Sequence, residues 1–434
     1  RLLDQPGWQR FKRLAGKKKK LFRMINQAKL RSNRSRPVYQ YGIQVPRNHN
    51  EAVRIDEANG NTLWQDAERT ELAQLDEYNA FNDLGKNAPP PDGHKKIRVH
   101  FVYACKHDGR RKARLVAGGH LTDTPIDSVY SSVVSLRGIR TVTFLSELNN
   151  LELWGTDIGN AYLESVTKEK IYFTAGPEFG SKEGHTMVIY KAQYGLKSSG
   201  LRWHEKLADV LRDMGFFPSM ADEDIWMRDK GDHYEYIAVY VDDLAIASKN
   251  PKDITDSLMD VYGFKLKGTG PIEFHLGCDF YRDENSILCF GPKKYIEKME
   301  DAYVRMFGRK PRTNITSPLE KNDHPELDVT PLLDDDGIAK YQSIVGQAQW
   351  AVSLGRFDIA TAVMTMSGYR VAPRQGHLDR IKRLVGYLVK MKHAAIRVRV
   401  QEPDYSDLPE TKYDWSKSVY GDIHEELPTN APRP

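Results

Sequence analysis

The chain has 434 residues, of which 40% are hydrophobic and 28% are charged, as is ordinary for a soluble globular protein rather than a fibrous or disordered one. No apolar run approaches the ~18 residues of a membrane span, and no segment has the pattern of a signal peptide, so we expect no membrane association. The three cysteines form no C-x-x-C pattern, so neither a disulfide framework nor a zinc site is indicated.

Positive charge is concentrated at the N-terminal end. Residues 1–40 contain 13 Lys or Arg against one acid, whereas the rest of the chain carries 51 basic and 58 acidic residues. We therefore predict that residues 1–45 form a basic, disordered arm that can neutralise phosphates. A nuclear-localisation patch and a solvated linker remain alternative interpretations.

The next elements are predicted from the spacing of apolar residues. A helix is expected from about Thr62 to Leu84, followed by the turn-forming run Ala-Pro-Pro-Pro-Asp-Gly at 88–93. Alternating apolar residues at 97–103 predict a strand, and His-Asp-Gly-Arg at 107–110 turns it back into residues 112–117. The predicted product is a basic β-hairpin.

Helical and strand patterns alternate farther along. Residues 137–149 and 201–214 have helical spacing, and a strand leads to Asp157. Later an apolar run, Tyr-Ile-Ala-Val-Tyr-Val-Asp-Asp-Leu-Ala-Ile-Ala-Ser, carries Asp242 and Asp243 in its middle. This order predicts an α+β fold in which an antiparallel sheet is backed by helices.

The paired aspartates are the most informative feature of the chain. Unpaired carboxylates within an apolar run are costly, so a bound cation explains the pair better than tolerance of the repulsion does. Oxygen ligands alone favour a hard ion, Mg²⁺ or Mn²⁺. Taken by itself, however, the Asp-Asp dipeptide is equally compatible with the solvated turn of a hairpin.

Several further motifs occur in order along the chain. Asp157 and Tyr162 belong to D-x-x-x-A-Y, and the blocks K-A-R-L-V-A-G-G, Y-G-L-K, F-H-L-G and R-F-D-I-A begin at residues 112, 194, 274 and 356. Together with Tyr-Val-Asp-Asp, these blocks resemble reverse transcriptases, and specifically the polymerase part of copia-type long-terminal-repeat retrotransposon polyproteins. The resemblance runs from about residue 41 to about residue 414.

This resemblance implies a right-hand polymerase with fingers, palm and thumb. Such an enzyme performs two-metal nucleotidyl transfer from a deoxynucleoside triphosphate to a primer 3′-hydroxyl. The implied catalytic and metal-binding residues are Asp157, Asp242 and Asp243. The implied nucleotide-binding residues are Lys112, Arg114, Tyr162 and Lys265, with Lys267 as the alternative to Lys265. The implied template or primer contacts are Lys197, Arg202, Phe274 and Gly277.

Two of these assignments carry a specific expectation. Tyr162 matches the position that lies under the sugar and excludes a 2′-hydroxyl. The Y-G-L-K block is followed by Ser198 and Gly200 where copia relatives usually carry Gln and Pro. This departure is interpreted either as lineage variation or as decay of the element.

The resemblance also divides the chain and suggests its partners. Residues 46–290 are expected to be fingers and palm, 291–400 a helical thumb and connection, and 401–434 a tail toward a ribonuclease H domain. We expect a polyprotein fragment whose partners are RNA or DNA template-primers, deoxynucleoside triphosphates, and the integrase and ribonuclease H segments. The expected location is the cytoplasm, in a virus-like particle, or the nucleus. Two other functions remain open, a catalytically decayed nucleic-acid-binding remnant and a template-independent palm-fold nucleotidyl transferase.

Overall fold

The computed structural model describes residues 37–106, 108–122 and 129–401. The chain divides into two compact units, Arg1–Val398 and Arg399–Pro434, and only 399–401 of the second are described. The greater part of the predicted arm and of the predicted tail therefore lies outside the described residues. Within them, no helix combines the length and the apolar character that crossing a membrane requires.

The described chain starts with a hairpin and two helices. Val38–Gln40 (β1) and Ile43–Val45 (β2) pair antiparallel. The disordered arm predicted for residues 1–45 therefore extends too far, because its last eight residues form this hairpin. His49–Asn59 (α1), which the sequence analysis did not predict, begins where the Asn48 side chain accepts the amide of Glu51. Such a bond satisfies one of the free amides of a first helical turn.

The second helix is shorter than predicted. Leu63–Glu77 (α2) ends four residues before Phe81–Lys86 (β3), where a continuous helix to Leu84 was expected. The chain turns at Asn79, whose φ of 51° is left-handed and ends the helical geometry. Residue Phe81 then pairs with Ile189, so a contact distant in sequence decides the strand.

The remaining N-terminal strands form a small sheet and a separate hairpin. The sheet has the order β3-β9-β8-β4, and only the β4–β8 pair is parallel. The predicted basic hairpin is present as β5 and β6. The bounds of these strands are Lys95–Lys96 (β4), Val99–Cys105 (β5), Arg111–Ala117 (β6), Ile171–Thr174 (β8) and His185–Ile189 (β9).

A six-stranded antiparallel sheet forms the centre of the molecule, as the α+β prediction requires. Its order is β10-β11-β12-β13-β7-β14. The bounds of its strands are Glu152–Ile158 (β7), Phe217–Pro218 (β10), Ile225–Asp229 (β11), Tyr234–Tyr240 (β12), Asp243–Ser248 (β13) and Leu266–Pro271 (β14).

Both faces of this sheet are covered, which explains why its central strands read as continuous apolar runs. Leu136–Leu148 (α3) packs on the face that carries Leu153 and Ala245. Ser199–Asp213 (α4) packs on the opposite face, where Trp203 meets Leu244 and other buried side chains. Pro251–Asp256 (α5) borders the same sheet.

The C-terminal part contains a second antiparallel sheet followed by helices. The sheet order is β15-β16-β17-β18, with strands Phe274–His275 (β15), Cys278–Arg282 (β16), Leu288–Gly291 (β17) and Ile396–Arg397 (β18). The helices are Lys293–Phe307 (α6), Asp335–Ser353 (α7), Ala360–Ser367 (α8) and Gln375–Lys390 (α9). Their apolar faces share one core that includes Ile381 and Leu384, as the predicted helical spacing requires. All three cysteines are free thiols.

Candidate active site

The predicted carboxylates lie at one end of the six-stranded sheet. Asp157, near the end of β7, is the direct cross-strand partner of Asp243, the first residue of β13. Side chains at such a register point to the same face, with Cβ atoms about 4.5–5.5 Å apart. Asp242 occupies the two-residue turn between β12 and β13. The Asp-Asp dipeptide is thus the corner of a hairpin and not the middle of a strand.

The backbone of this turn is strained and is held by two hydrogen bonds. Val241 has a φ of 57°, a left-handed conformation that costs a β-branched residue about 1–3 kcal/mol. The Trp203 indole Nε1–H donates to the Val241 carbonyl at 2.7 Å, and the amide of Ile158 donates to the Asp242 carbonyl at 2.8 Å. Because Trp203 is 2% exposed, the core beneath the sheet fixes the turn from below.

The three carboxylates repel one another electrostatically. Burial, and then the charges of Asp242 and Asp157, raise the pKa of Asp243 to about 6. Burial and the charge of Asp242 also raise the pKa of Asp157. Partly desolvated carboxylates that repel one another favour a cation, and their all-oxygen donor set suits a hard divalent ion. The donor chemistry therefore fits the predicted metal.

The carboxylates are nevertheless not gathered into a closed cage. Across the described ranges 37–106, 108–122 and 129–401, no group of three or more His, Cys, Asp or Glu side chains is placed to hold a metal ion. That the three aspartates together hold divalent metal therefore stays a prediction. The structure shows the cross-strand pair Asp157 and Asp243, with Asp242 on the adjoining turn and within electrostatic reach of both.

Two lysines, Lys267 and Lys112, act electrostatically on the carboxylates. Lys267 of β14 is the cross-strand partner of Asp157 on the side away from Asp243, and its charge lowers the pKa of Asp157 against the effect of burial. Lys112 of the β5–β6 hairpin acts on Asp157 in the same direction. The predicted residue Lys265 instead pairs with Glu77. Of the two predicted lysines, Lys267 is thus the one beside Asp157, and a nucleotide-binding role for either stays a prediction.

An aromatic pair connects the hairpin with the carboxylate turn. The rings of Tyr162 and Tyr194 have centroids 5.0 Å apart, and the Arg114 guanidinium lies 4.3 Å from the Tyr194 ring centroid. Burial and the charge of Asp242 raise the pKa of Tyr162, whereas Arg114 lowers it. Arg114 and Tyr162, which the sequence analysis nominated separately, are thus linked through Tyr194, which it did not nominate.

Close backbone contact explains why two of the motifs contain glycine. The amide of Ala117 donates to the Tyr194 carbonyl at 2.8 Å, where the K-A-R-L-V-A-G-G and Y-G-L-K blocks meet. Gly195 has a φ of +94°, and a Cβ there would lie 2.2 Å from the Ala117 oxygen. A Cβ on Gly119 would lie 2.1 Å from the Gly195 oxygen. Only glycine fits at this junction.

The side chains after the Y-G-L-K block are mostly turned inward. The Arg202 side chain is 9% exposed and its Nη1 bonds the exposed Glu205 at 2.7 Å, so little of it is available to a template, and its role as a template contact stays a prediction. Lys197, which is partly exposed, donates to the Thr122 carbonyl. Ser198, one of the two departures from the copia pattern, is buried and donates to Glu169 at 2.7 Å.

The F-H-L-G block forms the predicted hairpin. Leu276 and Gly277 have φ values of 46° and 92° at the turn between β15 and β16, and Phe274 is 46% exposed beside Lys294. A Cβ on Gly277 would meet the Leu354 side chain at 3.3 Å. Contact of this hairpin with a primer stays a prediction.

Comparison with known proteins identifies relatives for most of this chain. It is 30% identical over 252 residues to a transposon Ty5-1 protein of Saccharomyces cerevisiae, a match covering 56% of this chain and 78% of the yeast protein. The retrovirus-related Pol polyproteins from transposon RE1 of Arabidopsis thaliana and transposon TNT 1-94 of Nicotiana tabacum are 29% and 28% identical over 75% and 69% of the chain. The chain spans only 22% and 23% of those two polyproteins.

A solved structure and a family model complete the comparison. The foamy viral protease-reverse transcriptase in complex with double-stranded DNA is 16% identical, with a TM-score of 0.43 over 76% of this chain and 48% of the viral one. The family model described as reverse transcriptase (RNA-dependent DNA polymerase) matches residues 84–309. That range contains the carboxylate turn, both motif glycines and the F-H-L-G hairpin. The resemblance to copia-type enzymes is therefore confirmed, and the chain belongs to the reverse transcriptase family.

Proposed function

We propose that this chain is an RNA-directed DNA polymerase that adds deoxynucleotides to the 3′-hydroxyl of a primer. The observation that carries the proposal is the row of side chains at the end of the central sheet. Asp243, Asp157 and Lys267 are consecutive cross-strand partners, and Asp242 lies on the adjoining turn. Clustered acids can bind divalent cations, and the adjacent lysines can offset the negative charge of the reacting phosphates. This combination suits nucleotidyl transfer.

The acidic and basic residues of the site would have different roles in nucleotidyl transfer. Asp157 and Asp242 would hold divalent metal, Mg²⁺ or Mn²⁺, with Asp243 a weaker or indirect partner. When bound, such ions activate a hydroxyl nucleophile and neutralise charge on the transferred phosphate. Lys267 and Lys112 supply fixed positive charge within electrostatic reach of Asp157. They are positioned to offset the charge of a triphosphate and its leaving pyrophosphate.

The side of the site formed by aromatic rings would recognise the sugar. The Tyr162 ring contacts the Tyr194 ring and is within electrostatic reach of Asp242, and the Arg114 guanidinium lies over the Tyr194 ring. We expect the Tyr162 ring to exclude a ribose 2′-hydroxyl. Tyr162→Ala should then incorporate ribonucleotides, whereas Tyr162→Phe, which keeps the ring, should reject them as the parent does. Equal discrimination in all three proteins would remove this role.

Primer extension on poly(rA) with oligo(dT), with Mg²⁺ and Mn²⁺ tested separately, examines the proposal directly. Asp157→Asn and Asp242→Asn should each lower the extension rate at least about a hundredfold while template-primer binding is retained. Asp260→Asn is the matched control, because Asp260 is an exposed acid that is none of the residues of the site. Extension by Asp242→Asn at the parent rate would refute the proposal.

Two outcomes of the same assay separate the other candidate functions. Incorporation that is indifferent to the template would indicate a template-independent nucleotidyl transferase. A parent protein that binds template-primer but extends nothing would indicate a decayed remnant. The nucleic acid, the deoxynucleoside triphosphates and the other polyprotein segments are proposed partners on the same grounds, and a cytoplasmic particle or the nucleus is the proposed location.

A further inference from the structure

A buried carboxylate is paired with a histidine on α4, the helix that supports the turn carrying Asp242. The Nε2 of His204 lies 2.7 Å from the Oδ1 of Asp224, the residue before β11. The Asp224 side chain is 1% exposed, and that of His204 is 25% exposed. Among the described residues, the Oδ2 of Asp224 has no hydrogen-bond partner. A carboxylate buried to this degree needs a paired cation, and protonated His204 supplies one.

The surroundings of His204 favour its protonated form. The hydrogen bond with Asp224 raises the pKa of His204 above its ordinary value near 6.5, and burial acts in the opposite direction. The charges of Asp224 and Glu223 also raise this pKa, and the charge of Arg212 on the same helix lowers it. The pair is therefore charged below about pH 6.5 and loses its charge as the pH rises through the raised pKa.

Both members of the pair are connected to the carboxylate turn. On α4, His204 follows Trp203, whose indole N–H donates to the Val241 carbonyl at 2.7 Å. On the sheet, the Asp224 carbonyl accepts the amide of Val239 at 2.9 Å, two residues before Val241. These contacts form a closed loop that leads from the turn to α4, across the histidine–carboxylate pair, and back along β12 to the turn.

The segment before β11 is attached to the helix on the other face of the sheet as well. The Asp222 carboxylate accepts the amide of Ser135 at 3.1 Å and its hydroxyl at 2.9 Å, at the start of α3. Helices α3 and α4 cover opposite faces of the central sheet. Residues 222–224 therefore connect both helices to β12. Loss of the His204–Asp224 contact would release α4 from this connection and leave α3 attached.

We propose that His204 and Asp224 are positioning residues for nucleotidyl transfer, whose ion pair holds α4, and through Trp203 the carboxylate turn, in the geometry that the reaction requires. Both residues act through Trp203 and the Val239 amide rather than on the substrate. The arrangement is sensitive to pH, because neutral His204 leaves the buried carboxylate without a counter-charge. The proposal rests on the proposed polymerase function, which supplies the reaction.

The direction of the pH dependence follows from the raised pKa of His204. A group whose pKa is raised by folding contributes stability that is fully present below its unfolded pKa, here about 6.5. That contribution is lost as the pH rises through the pKa of the folded state. The population of the correctly placed turn, and with it kcat, should fall over the same range.

Primer extension by the full chain between about pH 6 and pH 9 tests the proposal, with kcat expressed per folded molecule from circular dichroism. His204→Gln removes the cation and leaves the Asp224 carboxylate unpaired, so kcat near pH 6.5 should fall at least about tenfold. Adding Asp224→Asn removes the unpaired charge and should recover most of this loss. The ratio of the parent kcat to the kcat of this double variant should fall as the pH rises above about 6.5.

The matched control is His49→Gln, which breaks a similar pair elsewhere. The Nδ1 of His49 lies 2.8 Å from the Oε2 of Glu68, and the two side chains are 23% and 4% exposed. This pair joins α1 to α2, which carry none of the aspartates of the carboxylate turn. The control should lose stability in urea and keep the parent pH profile of kcat.

Three results overturn the proposal. The first is a fall in kcat for His204→Gln no larger than for His49→Gln, and the second is a double variant that recovers none of the loss. The third is a ratio of parent kcat to double-variant kcat that does not change with pH. If His204→Gln does not fold, the parent and the double variant alone decide.

The indole N–H nuclear magnetic resonance of Trp203 gives a readout that needs no activity, and its loss in Trp203→Phe assigns it. In the parent this resonance should shift as the pH rises above about 6.5, and the shift should be absent from the double variant. If the parent extends primers and neither the resonance nor the kcat ratio depends on pH, only this inference fails. If the parent extends no primers, the polymerase proposal fails, and the resonance still shows whether the pair is coupled to the turn.

Discussion

Replacing Trp203 by Phe tests whether helix α4 holds the carboxylate turn in position. The indole N–H donates to the Val241 carbonyl at 2.7 Å, and Val241 has a φ of 57°. Phe keeps an aromatic ring in the core but has no donor. Without this bond the turn can relax toward a less strained conformation, which would displace Asp242.

The size of the effect follows from the two changes. Loss of the hydrogen bond should cost about 1–1.5 kcal/mol, because Val241 is partly exposed and water can replace part of the lost bond. The smaller ring leaves a cavity beneath the sheet that should cost about 1 kcal/mol more. We expect the free energy of unfolding to fall by about 2–2.5 kcal/mol. The free energy lost with the hydrogen bond alone could lower the population of the native turn by up to about tenfold, and kcat should fall in proportion.

Urea unfolding and steady-state primer extension measure the two parts separately. Phe264→Leu is the matched control, since the Phe264 ring packs edge-on against Trp203 at 5.6 Å and its loss leaves the hydrogen bond intact. Adding Val241→Gly to the Trp203→Phe variant should recover part of kcat, because glycine adopts a positive φ without strain. The reasoning is refuted if Trp203→Phe lowers kcat no more than Phe264→Leu does at an equal loss of stability.

Three further predictions concern other positions. Burial lowers the pKa of His275 to about 4, below its ordinary value near 6.5, so the unfolded state takes up a proton first as the pH falls. The free energy of unfolding should therefore fall by up to about 3 kcal/mol between about pH 7 and pH 4. In urea titrations His275→Leu should flatten that loss, and an unchanged pH profile would contradict the assignment. Gly195→Ala should destabilise the protein by at least about 2 kcal/mol in the same measurement, because strain and a clash with a carbonyl combine, whereas Gly231→Ala, which has a similar φ of +87° in open space, should cost about half as much. Lys267→Gln should lower kcat/KM for the deoxynucleoside triphosphate about tenfold, and Lys265→Gln should lower it less, so equal effects would argue against choosing Lys267.

Local patterns predicted most elements that pack through a regular stripe of apolar residues. The face of α9 that includes Leu378, Ile381 and Leu384 is buried as expected, since helical spacing alone specifies which residues share a side. The β5–β6 hairpin is likewise specified by alternation on both sides of a short turn. In such elements the information needed lies within a few residues of the chain.

The failures occurred where distant partners decide the conformation. Residues 81–84 were assigned to the predicted helix because Phe81 continues its apolar spacing, but pairing with β9 makes Phe81–Lys86 a strand. Lys265 carries a charge typical of nucleic-acid contacts, and its partner Glu77 is recognisable only once the chain is folded. The Arg202–Glu205 pair, by contrast, lies three residues apart in α4 and follows from helical spacing. Side-chain type therefore indicated a possible role, and tertiary contacts determined whether the charge was available for it.

The order of motifs along the chain was enough by itself to predict the family and the α+β class and to nominate the acids, because these predictions depend on residue type and spacing. Only the tertiary structure decided how the acids meet. The register of β7 with β13 makes Asp157 and Asp243 neighbours, and the β12–β13 turn lifts Asp242 out of the strand. Register is set by packing on both faces of the sheet, which involves residues scattered over the whole palm and is not encoded near any one aspartate.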